Sequence, residues 1–162
     1  SILTPDAAIW KLFADWRGDR LPKIQPSMLQ KIVIDPSARK VLSWQDLGAS
    51  LEFPMWNRDS KSRSQHLYLV ENRTTDDPIS FDGIKKIDFD RGHVSARLDA
   101  PKHQTLGEPV IAQDKYLLHM GYDGLRDETF VDIRDSETLE LIARAWTGTF
   151  VPLGFHGSYS GM

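Results

Sequence analysis

From Lys31 onward, apolar and polar residues alternate in short runs separated by turn-forming residues. That is the pattern of half-buried strands rather than of helices. Three hairpins follow from it. Lys31–Asp35 and Lys40–Trp44 flank Pro36-Ser37-Ala38, Gly83–Asp90 and His93–Leu98 flank Arg91-Gly92, and Thr129–Asp135 and Thr138–Trp146 flank Ser136-Glu137. Each opening strand ends in an aspartate: Asp35, Asp90 and Asp135, which are 55 and 45 residues apart. Two more strands precede each of the last two hairpins, Leu51–Trp56 and Gln65–Glu71 before one, Glu108–Ala112 and Lys115–Tyr122 before the other. Residues 51–98 and 108–146 therefore each read as four successive antiparallel strands. Such a repeat is what a β-propeller blade requires, although a meander sheet or sandwich alternates in the same way.

On the propeller reading the fold is all-β and partial, about two full four-stranded blades plus edge strands of their neighbours. Residues 31–44 give two outer strands of one blade, and Thr149–Tyr159 gives one inner strand of another. An open arc of this kind exposes unpaired strand edges, which pair with another segment. The expected partner is an upstream part of the same propeller or another subunit.

The first 30 residues follow a different period. Thr4-Pro5-Asp6 has the cap, first-turn proline and dipole-matching acid of a helix start. Ile9, Leu12, Phe13 and Trp16 then form one apolar stripe, which Gly18 ends. This predicts a short N-terminal amphipathic helix that docks on a core or offers a peripheral membrane or partner contact. The chain divides into residues 1–30, helix and connecting segment, and residues 31–162, the blades.

Composition narrows the classes. With 20 basic and 23 acidic residues the net charge is −3, too mild to argue for nucleic acid. The chain has no cysteine, which excludes disulfides, thiolate metal sites and cysteine nucleophiles. No signal-like leader stands at the start, and no apolar run approaches the roughly 20 residues of a membrane span. A cytoplasmic location is the expectation. Phosphate-loop and dinucleotide fingerprints are missing, as is a Gly-x-Ser-x-Gly elbow, so hydrolase and nucleotide chemistry find no support.

The first strand of each propeller blade lines the axis. Here those strands carry Glu52, Glu108 and His156, spaced by 56 and 48 residues, about one blade each. Either they face solvent at strand ends, or they converge on the axis. A carboxylate on an apolar inner strand needs a partner. An imidazole N–H is a natural one, and a metal on the other ring nitrogen is a natural reason for the imidazole.

The same residues carry a resemblance. Leu51-Glu52-Phe53-Pro54, Gly107-Glu108-Pro109, Tyr116-Leu117-Leu118, Tyr122-Asp123-Gly124, Asp135 with Glu137-Thr138-Leu139-Glu140, and Phe150-Val151-Pro152-Leu153-Gly154-Phe155-His156-Gly157 together resemble the C-terminal end of the carotenoid cleavage oxygenases. That family holds the carotenoid, apocarotenoid and lignostilbene dioxygenases and the retinal pigment epithelium isomerase. The resemblance implies a seven-bladed propeller with ferrous iron held by four axial histidines and glutamates behind them. It makes His156 the last iron ligand, and Glu52 and Glu108 two carboxylates that accept the N–H of ligating rings. It implies cleavage of a conjugated double bond by O2 to two carbonyl products, with an apolar polyene or stilbene as substrate. Phe53, Phe150 and Phe155 lie near the motifs, as tunnel lining or as core. The family's other three histidine ligands have no counterpart here. His66, His93, His103 and His119 stand outside the motifs. The isolated chain is therefore expected to be inactive, and a propeller segment serving as a binding or assembly module is the alternative.

Overall fold

The computed structural model describes residues 27–49, 51–57, 66–73 and 81–152. The predicted N-terminal helix lies outside them. Within them every regular element is a strand, and all pairing is antiparallel. β1 (Met28–Asp35) and β2 (Lys40–Ala49) form a first sheet of two strands. β3 (Leu51–Trp56), β4 (His66–Glu71), β5 (Gly83–Asp88) and β6 (His93–Asp99) form a second, paired in sequence order. The third holds β7 (Gln104–Leu106), β8 (Val110–Ala112), β9 (Tyr116–Asp123), β10 (Glu128–Asp135) and β11 (Leu141–Trp146). Its order is β11-β10-β9, with β7 and β8 both pairing with β9.

The alternation expected from sequence is clearest in β9, where half-buried and buried residues alternate from Tyr116 to Asp123. β4 departs from it, because five of its residues, Leu67 to Glu71, are all buried. The reason is that it is packed on both faces. Leu67 and Leu69 join Leu29, Leu51 and Ile87 in a core shared with the first sheet. Tyr68 and Val70 face the other way and join Ile84, Leu106, Leu117 and Phe130 in a core shared with the third sheet. Each fully buried aliphatic chain in these layers contributes about 1.5–3 kcal/mol relative to exposure. Polar groups lock the layers together. Lys31 Nζ of the first sheet donates to Phe89 O at 2.8 Å, and the buried Tyr68 hydroxyl donates to Ser136 O of the third sheet at 2.9 Å.

Turns follow a single device. In four of them an aspartate at a strand end accepts the backbone N–H groups two and three residues on. Asp35 holds Ser37 and Ala38, Asp88 holds Asp90 and Arg91, Asp123 holds Leu125 and Arg126, and Asp135 holds Glu137 and Thr138. These are aspartate turns. In the second sheet the structural aspartate is therefore Asp88 and not the expected Asp90. Asp88 is the last residue of β5, and Asp90 already lies in the turn.

Two expected strands begin elsewhere. Thr138–Glu140 belongs to the turn, with Leu139 at φ 63°, so β11 starts at Leu141. The inner strand of the third sheet starts earlier than Glu108 and is interrupted, with β7 before the gap and β8 after it. Residues 149–152 form no strand. They are tied to β10 instead: Thr129 N–H donates to Thr149 O at 3.1 Å, and Val151 N–H to Thr129 Oγ1 at 2.9 Å. The remainder of that predicted strand lies outside the described residues. No helix among the described residues is long and apolar enough to cross a membrane.

Candidate functional site

Glu52 stands on β3, the edge strand of the second sheet. The ladder to β4 pairs Leu51 with Glu71 and Glu52 with Val70, then slips and resumes at Met55 opposite Tyr68. Phe53-Pro54 occupies the slip. A proline offers no N–H to a ladder, and edge irregularities are where sheets tolerate it. Phe53 adopts φ 52°, left-handed for a residue with a Cβ. Its ring meets Phe81 edge to face at 5.7 Å and packs on the core between the second and third sheets. The Glu52 side chain is half-buried.

Glu108 stands at the corresponding place in the third sheet. β7 pairs with the second half of β9, Leu106 opposite Gly121, and β8 with the first half, Val110 opposite Leu118. Gly107-Glu108-Pro109 fills the break, where Gly107 N–H still reaches Met120 O at 2.8 Å. Pro109 is buried and Glu108 half-buried. Both glutamates thus sit at a proline-marked break in the edge strand of their sheet, and those two edge strands, β3 and β8, touch. His156 and Phe155 lie outside the described residues. Phe150 is exposed and meets Tyr122 edge to face at 5.3 Å.

Among the described residues no three His, Asp or Glu side chains stand together as metal ligands. The four described histidines are dispersed. His93 opens β6 and is exposed, and His103 lies 3.5 Å from Asp123. His66 opens β4, where burial first and Lys86 second push its pKa down. His119 is buried and committed elsewhere. The described segment does not itself form a coordination sphere.

The sequence did not point to a densely connected polar cluster among the described residues. Asp132, fully buried on β10, accepts Arg144 Nε at 2.6 Å and Nη2 at 2.9 Å, and Arg134 Nη2 at 2.7 Å and Nε at 3.1 Å. His119 Nε2 lies 3.2 Å from Arg134 Nε, and its Nδ1 faces Met120 O at 3.1 Å. His119 Nε2 also stands 3.4 Å from Asp132 Oδ2, so the ring lies between Arg134 and Asp132, and where its proton sits sets which of them Nε2 bonds. Burial alone would raise the Asp132 carboxyl, but the bonds from Arg144, His119 and Arg134 outweigh it and hold it well below the usual carboxylate range. Arg144 also lies over the Phe130 ring at 3.7 Å. The signal in the sequence is the register: His119, Asp132 and Arg144 are direct cross-strand partners. The structure turns Phe130, Asp132 and Arg134 inward and leaves Ile133 exposed.

With this geometry in place, the likenesses to other proteins have a meaning. Residues 6–161 match the family model of the retinal pigment epithelial membrane protein. The chain belongs to this family. No curated protein sequence matches the chain. Among solved structures, cobalt-substituted Synechocystis apocarotenoid oxygenase is similar at a TM-score of 0.75 and 22% identity, over 91% of this chain and 33% of that one. A chimera of apocarotenoid oxygenase and the retinal pigment epithelial protein gives 0.73 and 20%, over 90% and 33%. The three antiparallel sheets thus match part of the apocarotenoid oxygenase propeller, and the chain spans about a third of the length of these family structures.

Proposed function

We propose that this chain is the C-terminal part of a non-heme Fe(II) dioxygenase that cleaves a conjugated carbon–carbon double bond of a carotenoid or apocarotenoid with O2, giving two carbonyl products. The observation that carries the reading is the equivalent placement of Glu52 and Glu108, each half-buried at a break in the edge strand of successive sheets. Family membership supplies the chemistry, and a solved relative holds cobalt in substitution. In the whole protein, bound ferrous iron supplies the site where O2 and the electron-rich alkene meet. This chain's residues act on the ligands. Each glutamate accepts the N–H of a ligating imidazole, fixes its tautomer and raises its basicity. His156 is the candidate ligand contributed here. Phe53 braces the strand that carries Glu52, and Phe53, Phe150 and Phe155 are the candidate substrate-tunnel residues. The alkene provides the electrons, so no flavin, nicotinamide or external reductant is required.

The test uses the longer protein with its upstream region, elemental iron analysis and cleavage of an apocarotenoid. Near one iron per chain and two carbonyl products are expected, with iron lost in His156→Ala. Glu52→Gln and Glu108→Gln are expected to cost about 10–100-fold in metal affinity or rate. Full iron and activity in all three variants would sink the reading, as would an iron-loaded, active 162-residue chain.

A further inference from the structure

Between the second and third sheets, at the end of β6 and against β11, lies a cleft of about 210 Å³. Its walls are apolar, formed by Leu98, Ala100, Leu106 and Leu141. Its floor is charged, because Arg134 and Arg144 line it with the fully buried Asp132 beneath them.

The nitrogens of the two arginines are used differently. Arg134 spends Nε and Nη2 on Asp132 and Nη1 on Leu139 O at 2.9 Å. Arg144, which lines the cleft, spends Nε and Nη2 on Asp132 and not Nη1. The Arg144 guanidinium does not wander. The two-pronged grip of Asp132 and the Phe130 ring at 3.7 Å hold it, with Trp146 5.4 Å away. A guanidinium fixed in advance binds a carboxylate without the entropy loss of ordering a free side chain.

Charge bookkeeping points the same way. Two guanidiniums face one carboxylate, Asp132, so the arginines outnumber their anion by one. One positive charge is therefore left over at the floor. Asp99 at the rim does not supply the missing anion, because it is more than half exposed and engaged by Arg97 at 2.7 Å and Arg73 at 3.1 Å.

We infer that this cleft binds a small organic monocarboxylate with an apolar body, its carboxylate on Arg144 Nη1 and its body against Leu98, Leu106 and Leu141. One surplus charge sets the valence, the leucines and Ala100 set the apolar character, and the volume limits the body to something near a single ring. The site is separate from the edge strands that carry Glu52 and Glu108.

The experiment titrates benzoate, benzamide, acetate and sulfate into the full chain by calorimetry. Benzoate saturates. Benzamide, the same shape without the charge, binds at least about tenfold more weakly, a difference of about 1.4 kcal/mol. Acetate and sulfate, charged but without the ring, also fall well behind. Leu141→Trp fills the cleft from its exposed rim without touching Asp132, and it abolishes benzoate binding while the thermal midpoint holds. Arg144→Lys keeps the charge but loses Nη1, and it weakens benzoate at least about tenfold. Absent benzoate binding, equal binding of benzoate and benzamide, equal binding of sulfate, or an undiminished Leu141→Trp would each overturn the proposal.

Discussion

Asp132 illustrates what a carboxylate needs in order to sit in a core. Alone it would be protonated or exposed, but four guanidinium N–H bonds keep it charged and dry. Removing one member of such a cluster strands the others. Asp132→Asn should therefore lower unfolding stability by about 3–5 kcal/mol, measured by urea denaturation at neutral pH. Gly121 is a second residue-scale constraint. It lies opposite Phe130 on β10, and a Cβ there would overlap the Phe130 ring. Gly121→Ala should cost about 1–3 kcal/mol through overpacking. Asp135 gives the pH dependence. The Thr138 and Glu137 N–H groups hold its carboxyl below the ordinary value. A depressed folded pKa means that its stabilisation is complete above the unfolded value of about 4 and disappears as pH falls through the folded one. Asp135→Asn keeps the acceptor but cannot titrate. Its thermal midpoint at neutral pH should change little, and its loss of stability from pH 5 to pH 2 should be smaller than in the parent. Asp135→Ala should lower the midpoint already at neutral pH.

At the scale of elements, the strands were legible because alternation and turn residues agree. The first strands of two hairpins end at Asp35 and Asp135, where Pro36-Ser37-Ala38 and Ser136-Glu137 place the turns, although the second of these turns runs on to Glu140. Three features were not legible, each for a physical reason. β7 is only three residues long, too short to show a period. The buried charges of β10 were missed because charges that neutralise one another across strands look, one strand at a time, like a solvent face. Asp90 was chosen over Asp88 because only the backbone N–H pattern separates them. Of the candidate site, the two glutamates were legible through their Glu-Phe-Pro and Gly-Glu-Pro settings. The strand breaks that hold them were not, since a slip in register leaves no trace in composition. The layering also orders stability among elements. β4 is covered on both faces, whereas four of the six β11 residues are exposed. Hydrogen exchange should find the amides of β4 among the slowest in the chain and those of β11 clearly faster.

On the scale of the whole molecule, the three sheets are not equally finished. The second is packed between the other two. The first turns Leu29, Lys31 and Leu47 toward it, while Ile34, Leu42 and Trp44 are exposed. In the third sheet Ile133 and Ile142 are exposed in the same way. Faces of this composition suit further sheets, as the match to a third of a longer propeller leads one to expect. Trp44→Lys should therefore change the stability of this chain by no more than about 0.5 kcal/mol. In the longer protein it should be clearly destabilising. Equal effects in both would mean that this face stays open. The broken edge strands carry a different consequence. Glu108 sits beside Pro109 in the gap between β7 and β8, and Glu52 is the last paired residue before the slip; strand pairing runs through the backbone, so replacing either side chain removes none of it. The strand ladders therefore do not depend on these two side chains. A lineage can exchange either glutamate and still fold.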